Sequence, residues 1–297
     1  MRPRAQIRLL AGGRRLHMHD GPIDLIVEAF GNTGEVKVAY QAAAKRFVTV
    51  LDELCGELSL LRQPARIGGP EPVGVIARRM MTAVLPHSER TFITPMAAVA
   101  GAVAEEILGT MTRAAKLARA YVNNGGDIAL HLARGEHFVV GMVERPDRPS
   151  LFGKVELRAT QLVRGIATSG WRGRSFSLGI ADAVTVLADR TAMADAAATI
   201  IANAVDLPDH PSVTRVPASE LAPDTDLGER LVTTEVGELS DSDILTALDA
   251  GFSVADTLLA EGLIRAVALN LRGVSRVIDF NSSAEERTSA RAAAILC

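Results

Sequence analysis

The 297-residue sequence holds only two cysteines, very little lysine and no long apolar run. Cys55 and Cys297 cannot build a disulfide scaffold or a zinc cluster, so core burial has to hold the fold. The longest unbroken apolar stretch, residues 96–104, is nine residues long and too short to cross a bilayer, which excludes a membrane-spanning role. A formal charge of -3 lacks the cationic excess that a general nucleic-acid binder needs to neutralise phosphates. The N-terminal Met-Arg-Pro-Arg leads into alternating sequence with no apolar h-region, so no signal peptide is expected and a cytoplasmic protein is. The basic residues are 28 Arg and 4 Lys. Arginine's planar fork suits phosphate and carboxylate partners, although a general codon bias produces the same excess.

What is present fits a globular chain. Hydrophobic residues at 48% and charged residues at 23% exclude disorder, and the length suits one large domain or two modest ones sharing a core. Residues 6–10, 14–19 and 23–29 alternate between glycine punctuation marks, predicting an antiparallel meander. Phe47, Val50, Leu51, Leu54, Leu58 and Leu61 recur at helical steps, predicting one helix over 35–62 that ends at Gln63-Pro64. Cys55 falls within that helix and is expected to be a small buried residue. A shorter helix is expected over 73–85. Thr94-Pro95 is a helix start signal for a small-residue helix over 96–111. Strand-like runs follow at 118–123, 128–132, 138–143, 154–158, 163–168 and 175–187. Helices are expected over 192–204 and 241–263, with closing strands at 264–271 and 274–280. This mixture predicts an α+β fold, a single domain over 1–280 and a loose tail over 281–297.

Three segments carry chemistry. In Tyr121-Val-Asn-Asn-Gly-Gly-Asp-Ile128 a strand runs into Gly125 and Gly126, and Asp127 opens the next strand. Such glycines permit positive φ and aim backbone N–H groups at an anion, with Asp127 orienting a ligand; a plain tight hairpin has the same spacing. Thr168, Ser169 and Gly170 end a strand with two hydroxyls and open backbone, suited to phosphate or ribose, as many structural strand ends also are. No histidine is placed to activate Ser169. Asp195 and Thr199 stand four apart on one helix face, and with a backbone carbonyl they suit a hard cation such as Mg²⁺. An Asp in a first turn also serves as a dipole contact. Asp182 is an acid in an apolar run and needs a partner if buried. His17 and His19 share a strand face without a third metal ligand in view.

Taken in order, these segments resemble the ApbE-like superfamily of magnesium-dependent FAD:protein FMN transferases. There, a helix with Ala-Lys-Gly precedes Val-Asn-x-Gly-Gly-Asp-Ile, a Ser-Gly turn, a Val-Thr-Val strand and a helical Ala-Asp-x-x-x-Thr. Here the series reads Val99-Ala-Gly101, Val122 to Ile128, Thr168-Ser-Gly170, Ala183-Val-Thr-Val186 and Ala194-Asp195 to Thr199, within residues 94–205. The His-x-x-Asp-Pro-x-Thr-Gly segment of the transferases is replaced by Arg174-Ser-Phe-Ser-Leu-Gly-Ile180, and the Lys is absent. The chain is thus similar to a short branch of that superfamily.

The resemblance implies two mixed antiparallel-sheet and helix lobes around a cleft, and a flavin-, nucleotide- or pterin-like small-molecule ligand such as FAD. It places Mg²⁺ at Asp195, Thr199 and the Ala100 carbonyl, and the ligand at Gly125, Gly126, Asp127, Thr168, Ser169 and Gly170. Asp182 is the nearest remaining candidate for a catalytic base. The diverged segment leaves a second expectation open, a non-catalytic flavin or ligand binder.

Overall fold

Along Arg15–Asp20 and Ile23–Phe30, buried Leu16, Met18, Leu25 and Val27 alternate with more exposed neighbours, and this period of two is realised as paired strands. The computed structural model describes residues 4–143 and 151–279, so the tail expected at 281–297 lies outside the described residues. In chain order the elements are β1 (Gln6–Leu9), β2 (Arg15–Asp20), β3 (Ile23–Phe30), α1 (Thr33–Gly56), α2 (Leu58–Leu61), α3 (Val75–Val84) and α4 (Val99–Ala114). Then come β4 (Arg119–Asn124), β5 (Asp127–Leu132), β6 (His137–Val143), β7 (Leu151–Arg158), β8 (Gly165–Ser169), β9 (Ala183–Ala188) and α5 (Thr191–Ala204). The chain closes with β10 (Val213–Pro217), α6 (Ala218–Leu221), β11 (Leu231–Val236), α7 (Asp241–Ala260), β12 (Ala266–Leu271) and β13 (Val274–Asp279). The fold class is α+β, as the patterns predict.

The chain divides into two compact units, one of residues 1–140, 156–167 and 188–196, the other of 141–155, 168–187 and 197–297. In the first, antiparallel strands run in the order β1-β2-β3-β4-β5-β8. Helices α1 and α4 bury Phe47, Val50, Ile107 and Met111. Asp20, fully buried, is held bidentately by Arg4, which satisfies a charge that would otherwise be costly there. On α4, Glu105 and Glu106 gather arginines. Glu106 pairs with Arg46 and Arg79, and Glu105 with Arg79 and Arg190. Part of the arginine excess thus serves forked contacts to poorly solvated carboxylates.

In the second unit β12 lies between β9 and β13, all antiparallel, with Val267 opposite Val186 and Leu269 opposite Val184. Helix α7 buries Ile244, Leu248, Phe252, Ala255 and Leu259, three or four residues apart. It begins with a capping box between Ser240 and Asp243.

The structure differs from the pattern reading in several places. The expected helix over 35–62 breaks at Glu57, whose carboxylate accepts from Val73 N at 2.6 Å and Gly74 N at 2.7 Å, a long-range cap that periodicity does not encode. Cys55 is exposed, because it lies one position past the buried Leu54 stripe. Of the strand expected at 175–187 only β9 forms. Upstream, a Cβ on Gly179 would lie 2.2 Å from the Ala202 carbonyl, so the chain there hugs α5. The β10–β11 pair had no sequence signal strong enough to mark it.

Candidate functional site

The hairpin β4–β5 turns through Gly125 and Gly126 at φ +67° and +120°, conformations that glycine adopts without strain. Asn124 and Asp127 face each other across the turn, and the Asn123 side chain accepts from Gly126 N at 2.8 Å. The Asn124 amide donates to the Ala100 carbonyl at 3.1 Å, tying the turn to the start of α4. Asp127 is 9% exposed at the first position of β5.

Two glycines bring the start of α5 against this region. A Cβ on Gly101 would lie 2.5 Å from the Thr191 carbonyl oxygen, and one on Gly165 would lie 2.3 Å from Thr191 N. With both absent, Asp195 in the second turn of α5 reaches the beginning of α4, where Gly101 N donates to its Oδ2 at 2.9 Å and Ala100 N also donates. Glu105 returns the favour by accepting from Ala192 N at 2.9 Å, capping α5 from another helix. Asp195 retains some accessible surface. The protein packed around its carboxyl nevertheless pushes its pKa well above the usual carboxylate range, the charge of Asp127 adds to the rise, and the two backbone N–H groups oppose it.

The remaining expected site residues belong to the second unit. Thr168 Oγ1 shares a 2.9 Å hydrogen bond with Thr185 Oγ1, and Ser169 is half-buried at the end of β8. A Cβ on Gly170 would meet the Asp182 carbonyl at 2.5 Å. Asp182 is 3% exposed and has its partners: Arg172 Nε donates to Oδ1 at 3.0 Å, and Arg272 N to Oδ2 at 2.7 Å. Arg172 in turn stacks over Trp171 at 4.1 Å. Thr199 is half-buried on α5, one turn beyond Asp195.

A family model described as "AbpE bacteria" matches residues 7–277, most of the chain. The chain belongs to that family. Among curated relatives, a UPF0280 protein of Methanopyrus kandleri is 39% identical over 136 residues, 46% of this chain and 50% of that protein. One of Methanobrevibacter smithii is 38% identical over 136 residues, 45% of this chain and 53% of that protein. The chain spans about half the length of the curated relatives it matches. A solved flavin transferase ApbE from Vibrio cholerae is similar at 11% identity over 96% of this chain and 99% of that one, with TM-score 0.38. The apo flavinyl transferase ApbE from Pseudomonas stutzeri is similar at 12% identity over 86% and 75%, with TM-score 0.35. At those scores neither structure bears on what the chain does.

In this AbpE-family chain the sequence patterns single out Asp195, Asp127 and the Gly-Gly turn, and do not mark Glu105, Asn124 and Arg190, which the fold ties to the same helix starts. Glu105 was within reach, since Gly101, Glu105, Leu108 and Thr112 form one helical stripe. His17 and His19 do not make a metal site. Both ring nitrogens of His17 are engaged, by Asp24 at 2.5 Å and Arg8 at 3.3 Å. Among the described residues no three His, Cys, Asp or Glu side chains cluster to hold a metal. Likewise no described helix is long and apolar enough to cross a membrane. The enclosed pair Asp195–Asp127 still fits a hard cation. Its donors are oxygens, the Asp127 charge adds to the raised proton affinity of Asp195, and a divalent ion would offset that charge.

Proposed function

We propose that this chain is a Mg²⁺-dependent enzyme acting on a flavin-, nucleotide- or pterin-like substrate. The observation that carries the reading is the enclosed pair of carboxylates, Asp195 and Asp127, set between a Gly-Gly turn and the start of α4. Asp195, Asp127 and Thr199, one turn further along α5, would hold the cation. The Ala100 carbonyl, which already accepts from Asn124, would join them; the family resemblance implies this carbonyl, Asp195 and Thr199, and Asp127 is added here from the fold. A bound Mg²⁺ supplies Lewis acidity at a phosphoryl oxygen. The chain's own groups do the positioning. Gly101 N and Ala100 N fix Asp195, and the turn at Gly125 and Gly126 presents open backbone to an anion. Thr168, Ser169 and Gly170 are the further ligand residues of this reading.

A second reading, a flavin or nucleotide binder without turnover, is favoured by one observation. Both oxygens of Asp182 are engaged by Arg172 and Arg272, which is the setting of a structural carboxylate and a poor one for a general base. The test is incubation of the purified protein with FAD and Mg²⁺, following AMP by chromatography, beside calorimetric titration of FAD with and without Mg²⁺. AMP release supports the enzyme, and Mg²⁺-dependent binding lost in Asp195→Asn supports the cation site. Binding without release supports the binder, and neither binding nor release refutes both.

A further inference from the structure

A cleft of about 380 Å³ opens in the first unit beside the second half of α4, β5 and the segment leading into α5. Its lining includes Arg79, Glu105, His131, Arg164, Asp189 and Arg190, none of which is assigned to the nucleotide-like site above. The charge here does not balance. In one connected set of ion pairs, Glu53, Glu105 and Glu106 face Arg46, Arg79, Arg113 and Arg190. Arg164 adds another cation, and its side chain has no carboxylate partner among the described residues. Even with Asp189 counted against them, the cations exceed the acids by one.

Arg164 is also held rigidly. Its backbone N donates to Ala188 O at 3.0 Å and its carbonyl accepts from Leu130 N at 2.9 Å. Nη1 donates to the carbonyls of Gln161 at 2.7 Å and Val163 at 2.6 Å, and Nη2 to that of Ala159 at 2.9 Å. A guanidinium carries five N–H donors, so Nε–H and one N–H of Nη2 remain without an acceptor among the described residues. These two nitrogens form one edge of the fork, the arrangement that grips an oxyanion bidentately. Arg190 donates through Nε and Nη2 to Glu105, which leaves its Nη1 donors over. Pre-paid ordering of Arg164 lowers the entropic cost of binding there.

We propose that this cleft binds a phosphate group, as the free ion or as a small phosphate monoester, with Arg164 as the fork and Arg190 as the second anchor. Neither Asp195 nor Asp127 lines this cleft. Calorimetric titration at low ionic strength with inorganic phosphate and with glycerol 3-phosphate, against acetate, tests it. Both phosphate probes are expected to bind and acetate not to. Whichever of the two binds more tightly identifies the source that fits. Arg164→Gln should weaken phosphate at least tenfold, and Arg164→Lys, which keeps the charge without the fork, should weaken it less. Because Arg164 also satisfies three carbonyls, Arg190→Gln, on an exposed side chain, is the second variant and should weaken phosphate several-fold with an unchanged circular dichroism spectrum. Asp195→Asn should leave phosphate affinity unchanged even if FAD binding is lost. No phosphate binding, equal affinity in Arg190→Gln, or a loss in Asp195→Asn as large as in the arginine variants overturns the proposal.

Discussion

Replacing Gly101 by alanine tests the close approach of α4 and α5 that places Asp195. A new Cβ would sit 2.5 Å from Thr191 O, 2.7 Å from Thr191 C and 2.8 Å from Ala192 N, all backbone atoms that cannot swing aside. Alanine is worth about 1 kcal/mol more than glycine in a helix interior, so propensity alone favours the change. Against that, overpacking a tight contact costs about 1–3 kcal/mol. Pushing α5 away also weakens the charge-assisted bond from Gly101 N to Asp195, worth roughly 1.5–3 kcal/mol. The net expectation is a loss of about 2–4 kcal/mol, with the packing and charge effects outweighing propensity. Gly109 on the same helix is the control. A Cβ there meets only the end of the flexible Arg113 side chain, Nη1 at 3.1 Å, so Gly109→Ala should gain up to about 1 kcal/mol. Urea unfolding of wild type and both variants reads the difference. A Gly101→Ala protein as stable as wild type would refute the reasoning, since the two helices would then not need the missing side chain.

Asp182→Ala should cost about 3 kcal/mol or more in urea unfolding, because it leaves Arg172 without its buried partner and Arg272 N without its acceptor; a loss below about 1 kcal/mol would contradict the ion-pair account. Asp243 has its pKa lowered from 3.8, chiefly by the Ser240 hydroxyl and then by the Ser240 backbone N–H. A depressed folded-state pKa means that the capping box contributes stability above the unfolded value, and that this is lost as pH falls below about 3.8 through the folded one. Ser240→Ala should therefore move the Asp243 titration midpoint upward in an NMR titration, and an unmoved midpoint would show that the hydroxyl is not the cause.

How far the sequence reaches depends on whether a residue's role is local. The β1–β3 meander, α4 and α7 repeat at periods of 2 or 3.6, and neighbours along the chain set those periods, so they are legible without tertiary knowledge. The Gly125-Gly126 turn was legible for the same reason, since its positive φ values are demanded by a two-residue connection between paired strands. Glu57 was not. Its carboxylate caps the start of α3 at Val73 and Gly74, 16 and 17 residues away, and its backbone is where α1 stops, although the apolar stripe runs on to Leu61.

The same division runs through the candidate site. Spacing alone set Asp195 on a helix and Asp127 at a strand start, because helix and strand periods fix where side chains stand. That the Asp127 charge acts on Asp195 comes only with folding, when glycines at 101 and 165 let the α5 terminus approach to a distance that no side chain would allow. Asp182 shows the converse. As an acid in an apolar run it needs a partner if buried, and tertiary structure supplies Arg172 and the backbone N at 272, because a carboxylate taken out of water must be paired. Local periodicity thus determined the elements and the residue types they carry. Long-range packing decided which charges meet, because the cost of burying a charge is settled only by the groups that the fold brings to it.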